Sequence, residues 1–197
     1  MSRLTLNKAT LHQQSQLLKR YRQYLPSLDL KRKQLIAEKN KALTEYQLTR
    51  EAFDHCLLQV EEQLPMLADE RVNVEHLISI KQVETDWENI VGVNLPRLKQ
   101  VAFNEPGYSF FCKPHWVDEY IALMQKALSL QMQMNIEQQR LDILEQALKK
   151  VTQRVNLFDK VLIPKTLKNI RKIQIYLSDN ERAAIIRAKI TKQKRSG

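Results

Sequence analysis

A walk in alternating steps of four and three residues, begun at Trp116, lands almost always on an apolar side chain. It visits Trp116, Tyr120, Leu123, Ala127, Leu130, Met134, Glu137, Leu141, Leu144, Leu148, Val151, Val155, Phe158 and Leu162, and only Glu137 breaks the stripe. Gln, Lys, Arg, Glu and Asn fill the spaces between, and neither Gly nor Pro interrupts before Pro164. A repeat of seven keeps one narrow face turned toward a partner helix and marks a left-handed coiled coil. Burying such a stripe is worth about 1.5–3 kcal/mol per large side chain before ordering entropy is charged. The stripe therefore requires a partner.

The partner lies in the same chain. Steps of seven from Leu4 reach Leu11, Leu18, Leu25, Arg32, Lys39, Tyr46, Phe53, Val60 and Leu67, with Leu28, Leu35 and Ala42 in the companion position. The pattern predicts a helix over 9–64, about 80 Å long at 1.5 Å per residue, and a second over 115–190 that outruns it at about 110 Å. Two such stripes separated by some fifty residues can fold back as an antiparallel pair. Arg32 and Lys39 fall on the seam, where a cation must snorkel or find a partner. Pro26 has two readings: a kink in one continuous helix, or a break with Ser27 capping the next. Beyond Pro164 the apolar spacing continues as Leu167, Ile170, Ile173 and Leu177, with Ile185 and Ile186 further on, and the basic tail KITKQKRSG is expected to fray.

Between the helices the texture changes. VNVEHLISIKQVE is rich in β-branched residues, and Gly92, Pro96, Pro106 and Gly107 punctuate the stretch after it. This predicts a small β-hairpin over about 72–80 and 90–95, with turns at NLP and EPG. The expected fold is mainly α: a long antiparallel two-helix coiled coil with a small strand-containing insert. The segments are 1–64 (first helix), 65–114 (insert) and 115–197 (second helix).

Several chemistries are excluded. Three glycines cannot supply a phosphate-cradling GxxxxGK[ST] or GxGxxG loop, and the four histidines have no triad partners, so neither catalysis, a cofactor nor a small-molecule substrate is expected. His55, Cys56, Cys112 and His115 could meet at one end of a helical hairpin. Adjacent helical residues diverge by about 100°, however, and two buried thiols are the better reading than a metal site. Two cysteines make no disulfide framework, which points to a reducing, cytoplasmic setting, and no run is apolar enough to span a membrane. A net charge of +10 could hold nucleic acid, an anionic membrane surface or an acidic protein partner, and its spread along helices among few aromatics argues against nucleic acid. Lys31-Arg32-Lys33 reads either as a solvated face or as a contact with an acidic sleeve.

Two segments carry a family likeness. One is NIVGVNLP at 89–96, with Gly92 and Pro96. The other is RVNLFDKVLIPKTLKNIRKIQIYLSDNER at 154–182, with Arg154, Asn156, Pro164 and Glu181. Together with the opening LNKATLHQQSQLLKRYRQYLPSLDLKRKQL, they resemble the D subunit of the V-type and A-type rotary ATPases over nearly the whole chain. The chain departs from that family at Lys33-Gln34 and at Pro26.

The resemblance implies a non-catalytic central stalk, cytoplasmic and peripheral to the membrane. Both termini would stand inside the ring of A and B subunits that holds the ATP sites. The F subunit would lie beside the middle of the chain, and the C/d socket subunit beneath it, above the ion-carrying ring. The implied contacts to the catalytic ring are Lys19, Arg20, Arg22, Lys31, Arg32, Lys33, Arg171, Lys172, Arg182, Arg187 and Lys189. The seam read from the periodicity is Leu11, Leu18, Leu25, Tyr46, Phe53 and Val60 against Leu141, Leu144, Leu148, Val151, Val155, Phe158 and Leu162. A coiled-coil scaffold without motor function is the alternative, and it would pair as a parallel homodimer.

Overall fold

The computed structural model describes residues 4–63, 78–104 and 116–196. In chain order these form helix α1 (Lys8–Gln63), strands β1 (Ile80–Ile90) and β2 (Val93–Phe103), helix α2 (Trp116–Asn156), a π-helical turn (Leu157–Leu162) and helix α3 (Ile163–Ser196). The fold is mainly α, with long N- and C-terminal helices and an antiparallel two-stranded hairpin between them in sequence. Residues 1–33 and 149–197 make one compact unit, and residues 34–148 a second.

Within the first unit the chain runs antiparallel. Lys8 meets Glu181, Gln14 meets Asn169, and Tyr21 packs edge-on against Phe158 with ring centroids 5.4 Å apart. Asn7 caps α1, its side-chain oxygen accepting the Thr10 N–H at 2.7 Å. Pro26 lies inside an unbroken α1, and the Ser27 hydroxyl donates back to the Tyr24 carbonyl instead of capping a new helix.

The second helix is not uniform, contrary to expectation. At Pro164 the ring would press on the carbonyl four residues back and no N–H is available to bond it. The helix widens ahead of this point, and the Ile163 N–H reaches Phe158 O, five residues back. The seam then resumes at Thr166, which is buried, while Leu167 is exposed. Ile173 is fully buried, but Ile185 and Ile186 face solvent. α3 runs through the basic tail as far as Ser196.

In the second unit Lys39 pairs with Glu145, Thr49 with Glu137, and the Cys56 thiol lies 3.8 Å from Leu123 O, again antiparallel. The deepest line on α1 is Leu35, Ala42, Thr49 and Cys56, each seven residues apart and all buried. Tyr46, Phe53 and Val60 flank it half-buried. Trp116, Val117 and Ile121 form a buried cluster against which Val60, Ile78, Tyr120 and Leu123 pack.

The hairpin sits later in the sequence than its composition suggests. Its strands pair from Ile80↔Phe103 to Ile90↔Val93, so NLP lies within β2 and is no turn, while EPG and most of the expected first strand lie outside the described residues. The turn is Val91-Gly92, with φ of 53° and 71°. Two successive positive φ values match the twist of a tight hairpin, and glycine supplies one without strain. Asn89 fixes the corner by accepting the Gly92 N–H at 3.1 Å. Proline is tolerated at position 96 because its missing N–H would face the unpaired edge of β2.

Candidate functional site

Charge is divided between the two units. The first holds 22 Lys and Arg against 4 Asp and Glu, a net +18; the second holds 10 against 18, a net −8. The basic residues of the first unit come from both ends of the chain and meet only because the helices run antiparallel. Along the sequence the same charge reads as spread over helices, because no local window contains both contributors.

Lys19, Arg20, Arg22, Lys33, Arg171, Lys172, Arg182, Arg187 and Lys189 are exposed, while Lys31 and Arg32 are half-buried. Asp29 binds two of them: Arg32 Nη2 approaches one carboxylate oxygen at 2.6 Å and Lys33 Nζ the other at 3.3 Å. Pairs at this spacing contribute only about 0.2–0.5 kcal/mol each and leave the cations available for exchange. Large apolar side chains stand among the charges: Tyr24, Leu30, Ile175, Tyr176, Ile185, Ile186 and Ile190 are all more than two-fifths exposed.

None of the seam residues is exposed. Leu141, Leu144, Val151 and Val155 are buried, and Leu11, Leu18, Leu25, Tyr46, Phe53, Val60, Leu148, Phe158 and Leu162 are half-buried. The seam cations find partners, Arg32 on Asp29 and Lys39 on Glu145 at 3.5 Å.

Glu137, the break in the stripe, is buried opposite Thr49 on the buried line of α1. Its Oε1 accepts from the Thr49 hydroxyl at 3.1 Å and from Gln133 Nε2 at 2.8 Å, while Oε2 has no partner. The Glu45 carbonyl lies 3.1 Å from the same hydroxyl, so the single Thr49 proton is shared between the two acceptors. This polar layer gives the apolar seam one position where only a single register satisfies the groups. One turn on, Arg140 reaches the hairpin, with Nη1 3.5 Å from the Pro96 carbonyl and Nη2 4.0 Å from Glu88.

Of the residues carrying the likeness, Gly92 makes the hairpin turn, Pro96 is buried beside Arg140, Pro164 follows the π-helical turn and Glu181 pairs with Lys8 at 3.7 Å. Arg154 and Asn156 are exposed. Cys56 is a buried free thiol and His55 is exposed; Cys112 and His115 lie outside the described residues. Among the described residues no three metal-ligating side chains cluster, and no helix is long and apolar enough to cross a membrane. Partial burial raises the Tyr120 hydroxyl above its ordinary value.

Residues 10–193 match the family model of the ATP synthase D subunit. The V-type ATP synthase D subunit of Borreliella burgdorferi is 32% identical over 192 residues, covering 98% of this chain and 95% of the relative. Its counterpart of the same name from Chlamydia trachomatis is 34% identical over 198 residues, covering 98% and 96%. That from Chlamydia abortus is 31% identical over 198 residues, covering 98% and 94%.

Proposed function

We propose that this chain, which belongs to the ATP synthase D-subunit family, is the rotating shaft of a V-type ATP synthase. It turns inside the ring of A and B subunits and carries torque between that ring and the membrane ring that moves ions. Its partners are those subunits, the F subunit and the socket subunit, and its place is cytoplasmic, at the membrane periphery. The chemistry of ATP belongs to its partners, and its own work is mechanical.

One observation carries this reading: in each unit the apolar stripe of the N-terminal helix is covered by the C-terminal helices of the same chain. A member that transmits torque needs such a seam, and no glycine occurs in α1, α2 or α3 to soften it. A pair of unlike helices shows a different face to each neighbour as it turns, which lets three otherwise equal sites hold different conformations. The basic first unit, with its exposed Lys and Arg, suits exchangeable contacts with an acidic sleeve.

The test is reconstitution. The A–B ring assembled with this chain should hydrolyse ATP and turn a bead attached to the chain. Without the chain, hydrolysis should no longer drive ion movement. A ring that stays fully coupled in its absence refutes the proposal. Charge-based contacts further require that binding of the chain to the ring weaken as salt rises.

A further inference from the structure

The hairpin meets the helices of its unit by an edge. Leu95 and Pro96 are consecutive, so their side chains project to opposite faces of β2, yet both are buried. A strand packed by one face buries alternate residues. The interior of β1 is exposed throughout. The Pro96 carbonyl, on the side of β2 away from β1, receives Arg140 Nη1 from α2. Past this clasp the surfaces part and leave a cleft of about 770 Å³. One wall is the hairpin, with the consecutive run 97–101 of β2 at its edge and Glu88 and Ile90 of β1 beside it; the other is built from α1 and α2.

Two buried polar atoms of residues lining this cleft have no hydrogen-bond partner: Glu137 Oε2, on a residue only 9% exposed, and Arg140 Nε. The first is an acceptor and the second a donor, one helical turn apart. A peptide backbone, which offers N–H and C=O at short intervals, complements both. Along the outer edge of β2 no backbone–backbone hydrogen bond is made among the described residues. The lining is locally basic within an acidic unit. Arg140 pairs with Glu88, whereas Lys41, Arg97 and Lys99 have no ion pair among the described residues; the other carboxylates of the lining are Glu45 and Glu137, so its four cations outnumber its three acids by one.

We propose that this cleft receives an extended, acidic segment of another polypeptide. The segment adds a third strand to the outer edge of β2, directs a backbone N–H at Glu137, and sets a carboxylate among Lys41, Arg97 and Lys99. Strand addition takes its affinity from main-chain bonds and its specificity from such side-chain pockets. The inference rests on the reading that the chain works inside a larger assembly.

The experiment compares the isolated chain with the chain in the reconstituted complex. Amide exchange at residues 97–101 should slow by about tenfold or more on assembly. A photo-crosslinking amino acid in place of Leu98 should be trapped by one acidic segment of another subunit. Lys99→Glu should cut that yield several-fold while the complex still assembles. Unchanged exchange in an assembled complex, a crosslink returning to this same chain, or capture of a helical or basic segment overturns the inference and leaves the assembly reading standing. A chain that never enters the complex refutes both.

Discussion

Replacing Glu137 by leucine should stabilise the protein. The carboxylate is buried, and only one of its oxygens is satisfied, by Thr49 and Gln133. Removing it costs little at either donor: Thr49 gives its one proton to the Glu45 carbonyl, and Gln133 is exposed and turns to water. The gain has two parts. The desolvation penalty of a half-satisfied carboxylate disappears, and a leucine at a seam position buries apolar area worth about 1.5–3 kcal/mol. After the lost hydrogen bonds the net should be about 1–3 kcal/mol. For a chain of this length that raises Tm by about 2–12 °C. Circular dichroism melts of wild type, Glu137→Leu and Glu137→Gln read the effect, the glutamine variant keeping the shape and losing the charge. A leucine variant that melts below wild type would refute the reasoning, because it would make the carboxylate a net contributor to stability. Register specificity is the compensating loss. The leucine variant should populate alternative crosslinks when cysteines are placed at Tyr46 and Leu141, where wild type gives one product.

Leu144, 1% exposed, should cost about 2–5 kcal/mol when cut to alanine, since a seam between two helices collapses poorly around a missing side chain; a Tm drop smaller than about 4 °C would place that position off the seam. Val91 holds a positive φ that costs a β-branched residue about 1–2 kcal/mol, so Val91→Asn should tighten the hairpin and slow amide exchange across β1 and β2. Burial raises the Tyr120 hydroxyl above 10.0, so the folded state favours the protonated form. That contribution is complete below about pH 10, where the unfolded chain begins to ionise, and is lost as pH rises further. The difference in Tm between pH 9 and pH 11 should therefore shrink in Tyr120→Phe, and an unchanged difference would assign the alkaline sensitivity to other groups.

The helix pair was legible because its signal repeats. A period of seven sustained over many turns outweighs any local irregularity, and it marked Glu137 as the exception before any partner was known. Thr49, which answers Glu137 across the seam, was not legible: a lone threonine among charged residues has no periodic signal of its own, although it lies seven residues from Ala42. Proline misled at one place, the turn expected at NLP, and its other positions are instructive beside it. Pro96 lies inside a strand whose outer edge needs no donor there, whereas Pro26 sits inside a continuous helix, the first of its two readings, and Pro164 follows a widened turn within a helix expected to run past it. Local punctuation reports what a residue cannot do alone, whereas tertiary packing decides where that inability is harmless. The charge division was invisible for a simpler reason: residues 1–33 and 149–197 are far apart in sequence and become neighbours only on folding.

The widened turn at Leu157–Leu162 has an evolutionary corollary. A five-residue hydrogen-bonded loop carries one residue more than the helix on either side needs to keep its phase. Deleting a residue in the first turns of α3 rotates everything after it by about 100° and turns buried positions such as Ile173 outward. Deleting one inside the wide turn should instead return the backbone to ordinary α geometry with Val155 and Ile173 still facing the same way. Relatives one residue shorter are therefore expected to have lost it there, which makes this turn the tolerant point for length variation in an otherwise phase-locked helix.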